Sequence, residues 1–264
     1  MRPARAARAA LHFLAIVVLT ILTQVGGACY AAGLAAAARR SARTGILAGL
    51  ILYGALTLGV LPSVAPHWGR VALPCGLAGT ASPAAISLLY CALNRHYGTP
   101  EVAAAMQRIA GAMDRRHPGT VVTYLDAGFP LPVQMPLLPH LSHRDGRAID
   151  LALFYNGRAR AGAWPVGYFA FAPAASGEAR VCSRPGPLRW SFDWLQPLFA
   201  DTRLDHRRTA DLVLLAIAEP AVSRVLLHPG LASGLGISSG KLRFAGCHAA
   251  RHDDHLHLVI GPPG

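Results

Sequence analysis

The sequence predicts an α+β protein in which a small antiparallel β-sheet with flanking helices follows an N-terminal transmembrane segment or hairpin. Two apolar runs, at about residues 9–27 and 44–64, are each long enough to cross a hydrocarbon core of about 30 Å as a helix. Later in the chain, short stretches rich in β-branched and aromatic residues, bounded by turn residues, predict strands. Amphipathic stretches between them predict the flanking helices.

The chain divides into three parts on these grounds. We expect residues 1–66 to form a membrane anchor of two apolar helices, residues 67–118 a linker with a helical lead-in, and residues 119–264 a separate domain. The first apolar run also fits a cleaved signal peptide, because a basic start precedes it and small residues end it. The second run contains no charged residue, which argues against a helix in the core of a soluble domain.

Basic charge is concentrated near the N-terminus, where the first 69 residues hold six arginines and no acidic residue. The whole chain has a formal charge of +12 and is 53% hydrophobic but only 14% charged, which favours a membrane portion. The moderately basic remainder suits an anionic polymer of the cell envelope or a membrane surface. Nucleic acid is disfavoured because the arginines are dispersed and form no recognised binding motif. If the basic patch at 39–43 is cytoplasmic and both helices are retained, both termini lie on the far side of the membrane.

A helix start at Thr99 is the clearest local signal in the lead-in. Thr99 can cap the helix, Pro100 suits its first position, and Glu101 is favourable in its first turn. Further along, Asn156-Gly157 predicts a hairpin turn. The remaining predicted elements are the body of that helix to about residue 116, a short helix at 84–94, strands at 120–125, 150–155, 164–171 and 222–227, a helix at 207–217 and a loop at 231–240.

Four cysteines that follow both apolar runs permit two disulfides in an exported domain. Cys75, Cys91, Cys182 and Cys247 allow three pairings, and buried thiols are the alternative if the domain is cytosolic. None of them forms a Cys-x-x-Cys motif, so a zinc ribbon or a thioredoxin-type site is unsupported.

Three histidines and two aspartates fall within the six positions 252–257, at the start of an apolar strand. From His255 onward the residues alternate, so that His255 and His257 face one way and Leu256 and Leu258 the other. An apolar face with two imidazoles opposite is typical of a metal-binding or catalytic wall that rests on a core. Taken alone, the same pattern also fits a solvated histidine-rich end.

A second cluster lies earlier in the chain, between residues 140 and 150. His143 is expected in a loop that Gly146 allows to turn back tightly, and Asp150 opens the strand that follows. Neighbouring strands about 5 Å apart could bring Asp150 and His257 onto one ion. A catalytic zinc takes three protein ligands from imidazole and carboxylate donors and keeps one position open. By itself, His143 also fits a plain loop histidine, and Asp150 a turn-capping residue.

The two clusters together resemble a known superfamily. The motif Ser142–Asp150 (Ser-His-x-x-Gly-x-Ala-x-Asp), followed by His255–His257 (His-x-His), is similar to the zinc peptidases that include lysostaphin, the D-Ala-D-Ala peptidases and the hedgehog signalling domain. It looks closest to the penicillin-insensitive murein endopeptidases. The resemblance covers roughly residues 120–260 and is firm at the two motifs.

This resemblance implies that His143, Asp150 and His257 are the three ligands of a catalytic Zn²⁺ ion. It also implies that His255 assists the metal-bound water or stabilises the tetrahedral intermediate. His140 matches a further active-site histidine, which in some relatives is an extra metal ligand.

Two further positions of the cluster at 252–257 bear on the general base. His252 matches a histidine that lines the cleft. Asp254 stands where the D-Ala-D-Ala peptidases carry a catalytic glutamate, and its side chain is one carbon shorter. The resemblance therefore leaves His255 or Asp254 as the base.

Asp126 fits either a residue of the cleft or, more commonly, a turn former.

The function that the resemblance implies is a zinc metallopeptidase that hydrolyses peptide cross-links of peptidoglycan. Residues 119–264 would be its catalytic domain, on the periplasmic or extracytoplasmic side of a membrane. The implied partners are peptidoglycan peptides and, through the N-terminal helices, membrane lipid. A D,D-carboxypeptidase with the same zinc site and a non-catalytic, zinc-bound binding domain like that of hedgehog are the alternatives.

Overall fold

The computed structural model describes residues 2–76, 79–132, 135, 137, 141–162, 167–168, 203–250 and 252–261. Within these residues the chain mixes helices with a mainly antiparallel sheet and begins with apolar helices, which agrees with the predicted α+β class. His140, Cys182 and most of the predicted strand at 164–171 lie outside the described residues.

The N-terminal region contains three helical segments where the sequence predicts two. A stretch of small residues that we expected to connect the apolar runs is itself a helix, because alanine has the highest helix propensity. The segments Ala4–Thr23 and Ala42–Trp68 are long and apolar enough to cross a membrane. The helices are α1 (Arg2–Thr23), α2 (Gly26–Arg39) and α3 (Ala42–Ala55), and α3 continues through a π-helical turn (Leu56–Val60), α4 (Leu61–Val64) and a 3₁₀ turn (Ala65–Trp68).

Glycines let α2 pack closely between its neighbours. A Cβ atom on Gly45 of α3 would lie 2.5 Å from the carbonyl oxygen of Gly33 in α2, and one on Gly49 would lie 3.2 Å from that of Cys29. On the other side, a Cβ on Gly27 would overlap Thr20 of α1. Residue numbers along each pair run in opposite directions, so α2 is antiparallel to both α1 and α3.

The main sheet has six strands among the described residues, in the order β2-β4-β5-β8-β6-β7. Its centre is antiparallel, since β8 pairs with β5 on one side and with β6 on the other. Strands β1 and β3 form a separate antiparallel pair. The strands are β1 (Val71–Ala72), β2 (Ala84–Ala85), β3 (Tyr97–Gly98), β4 (Thr123–Tyr124), β5 (Ala148–Ala152), β6 (Val222–Leu226), β7 (Leu242–Arg243) and β8 (His255–Ile260).

Helices cover this sheet and complete its hydrophobic core. The predicted start of the longest one is confirmed, because the Thr99 side chain accepts a hydrogen bond from the backbone N–H of Val102. The predicted helix at 84–94 is shorter and follows a strand, and the predicted loop at 231–240 is wrong at its start, where Pro229 opens a short helix. The helices are α5 (Leu88–Ala92), α6 (Pro100–Arg116), α7 (His206–Ala218) and α8 (Pro229–Gly234).

Helix α7 begins with an N-cap aspartate that a substitution can test. Asp205 accepts a hydrogen bond from the backbone N–H of Arg208 at 2.9 Å and also pairs with the Arg208 side chain at 2.7 Å. We expect Asp205→Ala to cost about 1 kcal/mol, because a first-turn N–H then loses its acceptor. Such a loss lowers Tm by about 2–4 °C in a chain of this size, measurable by thermal unfolding in detergent. Asp205→Asn keeps the cap, so an equal loss in that variant would contradict this explanation.

Candidate metal centre

The centre of the sheet brings an aspartate and a histidine face to face. Asp150 of β5 and His257 of β8 are direct cross-strand partners. Nδ1 of His257 donates a hydrogen bond to Oδ1 of Asp150 at 2.7 Å. The strand begins at Ala148, two residues earlier than predicted, so Asp150 lies in its middle and is held by pairing on both sides.

His143 approaches the same carboxylate from a loop. It ends a 3₁₀ turn, Leu141–His143, and its Nε2 lies 3.3 Å from Oδ2 of Asp150. Its Nδ1 lies 2.6 Å from the carbonyl oxygen of Ala127 and must donate to it, because a carbonyl only accepts. In neutral His143 the Nε2 lone pair therefore faces Asp150, an arrangement that calls for a proton or a cation between them.

A glycine and a buried arginine shape the loop that carries His143. Gly146 adopts a φ of +69°, which confirms the predicted tight turn. Arg70 is buried, and its guanidinium donates to the backbone carbonyls of Asp145 and of Arg144, the latter at 3.0 Å. This contact ties the loop to the segment that follows the N-terminal helices.

Three of the predicted ligands form a compact donor set. One donor atom from each of His143, Asp150 and His257 lies within 4.8 Å of the other two, and all three side chains are buried. In tetrahedral zinc sites, with bonds of about 2.0–2.1 Å, ligand atoms lie about 3.3–3.4 Å apart, and Nε2 of His143 lies 3.3 Å from Oδ2 of Asp150. Nε2 of His257 is buried and has no hydrogen-bond partner among the described residues. The residues present thus fit a small divalent cation.

The other predicted residues surround this donor set. His255 places Nε2 3.9 Å from Oδ1 of Asp150, while its Nδ1 donates to Oδ1 of Asp254 at 2.5 Å. The ring of His252 lies 4.9 Å from that of His255 and 5.5 Å from that of His257, between centroids. His252 also has a φ of +56°, a left-handed conformation that non-glycine residues rarely adopt. Six of the seven predicted site residues therefore converge, and the seventh, His140, lies outside the described residues.

Buried negative charge dominates the electrostatics of this cluster. Asp150, Asp253 and Asp254 are each at most 7% exposed. Burial disfavours protonation of His255, but the carboxylates of Asp254 and Asp150 outweigh it and raise its pKa to about 9. Burial likewise opposes the protonation of His143, and Asp150 again raises the pKa above its usual value. The cluster thus favours positive charge, from protons or from a metal cation.

His257 differs from the other two histidines. Burial lowers its pKa to about 4, and the hydrogen bond to Asp150 only partly offsets that effect. The ring is therefore neutral at physiological pH, which is the state in which imidazole binds a metal.

Tyr168 and Arg95, two residues that the sequence analysis did not single out, support Asp150. Tyr168 contacts it directly, and Arg95 acts through Asp126. The Tyr168 hydroxyl lies 2.7 Å from Oδ2 of Asp150 and 2.9 Å from Oδ2 of Asp126, and can donate its single proton to either. Asp126 is held in turn by a two-point ion pair with Arg95, at 2.5 and 2.8 Å. Asp126, for which the sequence left open a turn former or a residue of the cleft, is the buried centre of this network. Partners that orient ligands in this way fix the geometry of metal sites.

A change at Tyr168 tests this support. We expect Tyr168→Phe to weaken zinc binding by about 10–100-fold, because Oδ2 of Asp150 loses the donor that orients it while the ring remains. The affinity would be measured by competition with a chromophoric chelator on the purified full chain. Tyr97→Phe is the matched control, since the Tyr97 hydroxyl is buried and has no hydrogen-bond partner within the described ranges. Unchanged affinity in Tyr168→Phe would contradict the support that we assign to it.

A second group of donor atoms is not available to a metal in this state. Cys75, Cys91 and His96 lie within 4.8 Å of one another, but the two cysteines form a disulfide. Their sulfurs are therefore not thiolates, and thiolates are the metal-binding form of cysteine. The pairing is one of the three that the sequence permits, and it excludes the alternative of buried thiols for this pair. Cys247 is also disulfide-bonded.

The comparisons with known proteins give no family for this chain. No protein-family model matches it, and no curated protein matches it. The geometry of the cluster and its chemistry therefore carry the functional argument.

Proposed function

We propose that the chain is a membrane-anchored zinc metallopeptidase that hydrolyses peptide cross-links of peptidoglycan. The observation that carries the proposal is the convergence of donor atoms from His143, Asp150 and His257 within 4.8 Å at buried positions. Two imidazoles and one carboxylate form a ligand set typical of catalytic zinc, which keeps a fourth position open. Bound zinc supplies a Lewis acid that polarises a carbonyl and lowers the pKa of water.

The geometry favours His255 over Asp254 as the residue that moves the proton. Nδ1 of His255 is fixed by Asp254, so its Nε2 is the nitrogen that faces Asp150 and the donor set. Asp254 thereby orients the ring and stabilises its protonated form, which at a pKa of about 9 suits donation to the tetrahedral intermediate. A cation on Asp150 would offset part of the charge that raises this pKa and so favour the neutral ring that a general base requires. Both residues are buried, which keeps the ring in one orientation.

The substrate class rests on the motifs and on charge. The two motifs resemble those of zinc peptidases that cleave peptides of the cell wall, with the murein endopeptidases closest. Beyond residue 69 the chain is moderately basic, with 19 Lys and Arg (25 less six) against 13 Asp and Glu, which suits an anionic envelope polymer.

The helix arrangement supports an extracytoplasmic position for the domain. Because α2 returns between α1 and α3, the arginines at 5 and 8 and those at 39, 40 and 43 lie at the same end of the bundle, away from the sheet domain. The positive-inside rule then puts that end in the cytoplasm and the domain across the membrane. The N-terminus would lie opposite the domain, in contrast to the expectation that both termini share one side. The Cys75–Cys91 disulfide adds to this argument, since disulfides persist in oxidising compartments.

Contacts of α1 favour a retained helix over a cleaved signal peptide. Nδ1 of His12 lies 2.9 Å from the Tyr30 hydroxyl of α2. At the other end, the side chain of Gln24 exchanges two hydrogen bonds with the backbone of Leu131 in the sheet domain. Cleavage between α1 and α2 would remove the first contact and expose the glycine face of α2.

To test the proposal, the purified full chain is loaded with zinc in detergent and incubated with cross-linked muropeptides. We expect about one zinc per chain by elemental analysis and release of un-cross-linked peptides, identified by mass. His255→Ala should retain zinc but lose about 100-fold or more of the activity, the usual contribution of a general base. Release of only terminal D-alanine would indicate a carboxypeptidase. Bound zinc without any product, in both wild type and variant, would indicate a non-catalytic binding domain.

A further inference from the structure

Helix α2 is shorter than the hydrocarbon core that it would have to cross. Its 14 residues span about 21 Å at 1.5 Å per residue, whereas the core is about 30 Å thick. The part of α1 between Arg8 and Thr23 covers about the same length. If the arginines of both helices mark one membrane surface, the turn at Gln24 and Val25 lies roughly 9 Å inside the hydrocarbon on the side of the domain.

A turn at that depth must have its polar groups covered by protein. The sheet domain covers this one. Gln24 is buried, its Nε2 donates to the carbonyl oxygen of Leu131 at 3.1 Å, and its Oε1 accepts from the N–H of Leu131 at 2.9 Å. Nδ2 of the buried Asn94 donates to the carbonyl oxygen of Thr23 at 3.1 Å, at the last residue of α1. The edge of the domain that contains Asn94 and Leu131 therefore lies at the depth of the turn.

The short helix α5 also contacts the N-terminal helices. The hydroxyl of Tyr53 donates to the carbonyl oxygen of Ala92, the last residue of α5. Tyr53 lies in α3, about 15 Å along the helix axis from Arg43 and therefore within the membrane interior. On α5, Leu88 and Leu89 are 69% and 51% exposed.

Large apolar side chains are also exposed on the helix that carries Tyr53. Beyond Tyr53, Leu58 and Val60 of the same continuous helix are 83% and 46% exposed. Exposed apolar surface is unfavourable in water but not against lipid chains. Trp68, 46% exposed, ends this helix where an interfacial aromatic would lie.

We infer that the edge of the domain formed by α5 is immersed in the leaflet on its own side, with Leu88 and Leu89 against phospholipid acyl chains. The inference rests on the proposed membrane anchoring. The domain is then not tethered above the bilayer but seated in it, which fixes the distance and orientation of the metal centre relative to the membrane surface.

The test measures depth with single-cysteine probes on the full chain in nanodiscs. In a Cys29→Ala background, which removes the free thiol found among the described residues, bimane is attached at Leu89→Cys, at Leu58→Cys and at Leu214→Cys. Leu214, on α7 and 45% exposed, is the matched control for an exposed leucine outside the proposed surface. Leu88→Cys is a second probe on α5, in case Leu89→Cys does not fold. Lipids with nitroxide on the acyl chain quench only probes in the hydrocarbon.

The expected result is strong quenching at Leu89 and Leu58 and weak quenching at Leu214. If both α5 probes are quenched no more than Leu214 while Leu58 is strongly quenched, the chain is anchored but the inferred surface is wrong. If Leu58 is also unquenched, the membrane anchoring itself fails, and the inference fails with it.

Discussion

Replacing Asp150 by asparagine is expected to abolish zinc binding without weakening the metal-free fold. The carboxylate is fully buried between His143 and His257. An asparagine at 150 can satisfy its neighbours, because its NH₂ can donate to Nε2 of His143, its oxygen can accept from Nδ1 of His257, and the Tyr168 hydroxyl can donate to Asp126 instead of to position 150. In the metal-free chain the raised pKa values of His143 and His255 balance this buried charge with protons, which the two rings can release once the charge is gone, so asparagine replaces buried ion pairs by neutral hydrogen-bonded groups. Without metal, Asp150→Asn should therefore unfold at the same temperature as wild type or a higher one.

With zinc bound, wild type should unfold at a higher temperature than Asp150→Asn. Zinc at 100 times its Kd stabilises wild type by about 2.7 kcal/mol, and Asp150→Asn should gain nothing measurable. Loss of a ligand costs more than the roughly 10–100-fold in affinity caused by losing an orienting partner. The measurement is the Tm of each chain with chelator and with zinc. Asp253→Asn is the control, since Asp253 is buried in the same cluster but is not among the proposed ligands, and it should keep the zinc response. A full zinc response in Asp150→Asn would show that Asp150 is not a ligand.

Elements with local signals are predictable from this sequence. The alternation from His255 onward predicts β8, and the Thr99 cap predicts the start of α6. The pairing of Asp150 with His257 follows from two strand predictions and the spacing of neighbouring strands. Each of these depends on residues close together in the sequence or on one regular geometry.

What the sequence does not reveal depends on contacts between distant residues. Arg95 and Tyr168 reach Asp126 across 31 and 42 positions, and neither belongs to a motif. The antiparallel course of α2 depends on glycine contacts with both neighbours. Without it, basic residues stand at both ends of the first apolar run, and the positive-inside rule gives no orientation for that run. The positive φ of His252 likewise has no signal in the neighbouring sequence.

Gly146→Ala is the second substitution from which we expect a large effect. The residue has a φ of +69°, where an alanine costs roughly 1–2 kcal/mol, and the new Cβ would overlap the Arg70 guanidinium. Arg70 cannot move aside cheaply, because it is buried and donates to the carbonyls of Asp145 and Arg144. We expect a total loss of about 3–4 kcal/mol in unfolding free energy, together with displacement of His143 and weaker zinc binding.

Gly157→Ala separates backbone strain from overlap with Arg70 as causes of the loss in stability. Gly157 has a φ of +73°, but among the described residues other than its two chain neighbours no atom lies within 4 Å of the position that an alanine methyl would take there, so its substitution measures backbone strain. The excess loss in Gly146→Ala over Gly157→Ala then reports the overlap with Arg70. In an Arg70→Ala background that excess should largely disappear, as expected for two residues that interact directly. Equal losses at both glycines, with zinc affinity unchanged, would show that the contact with Arg70 does not hold His143 in place. A persistent excess in the Arg70→Ala background would place the cause elsewhere in the loop.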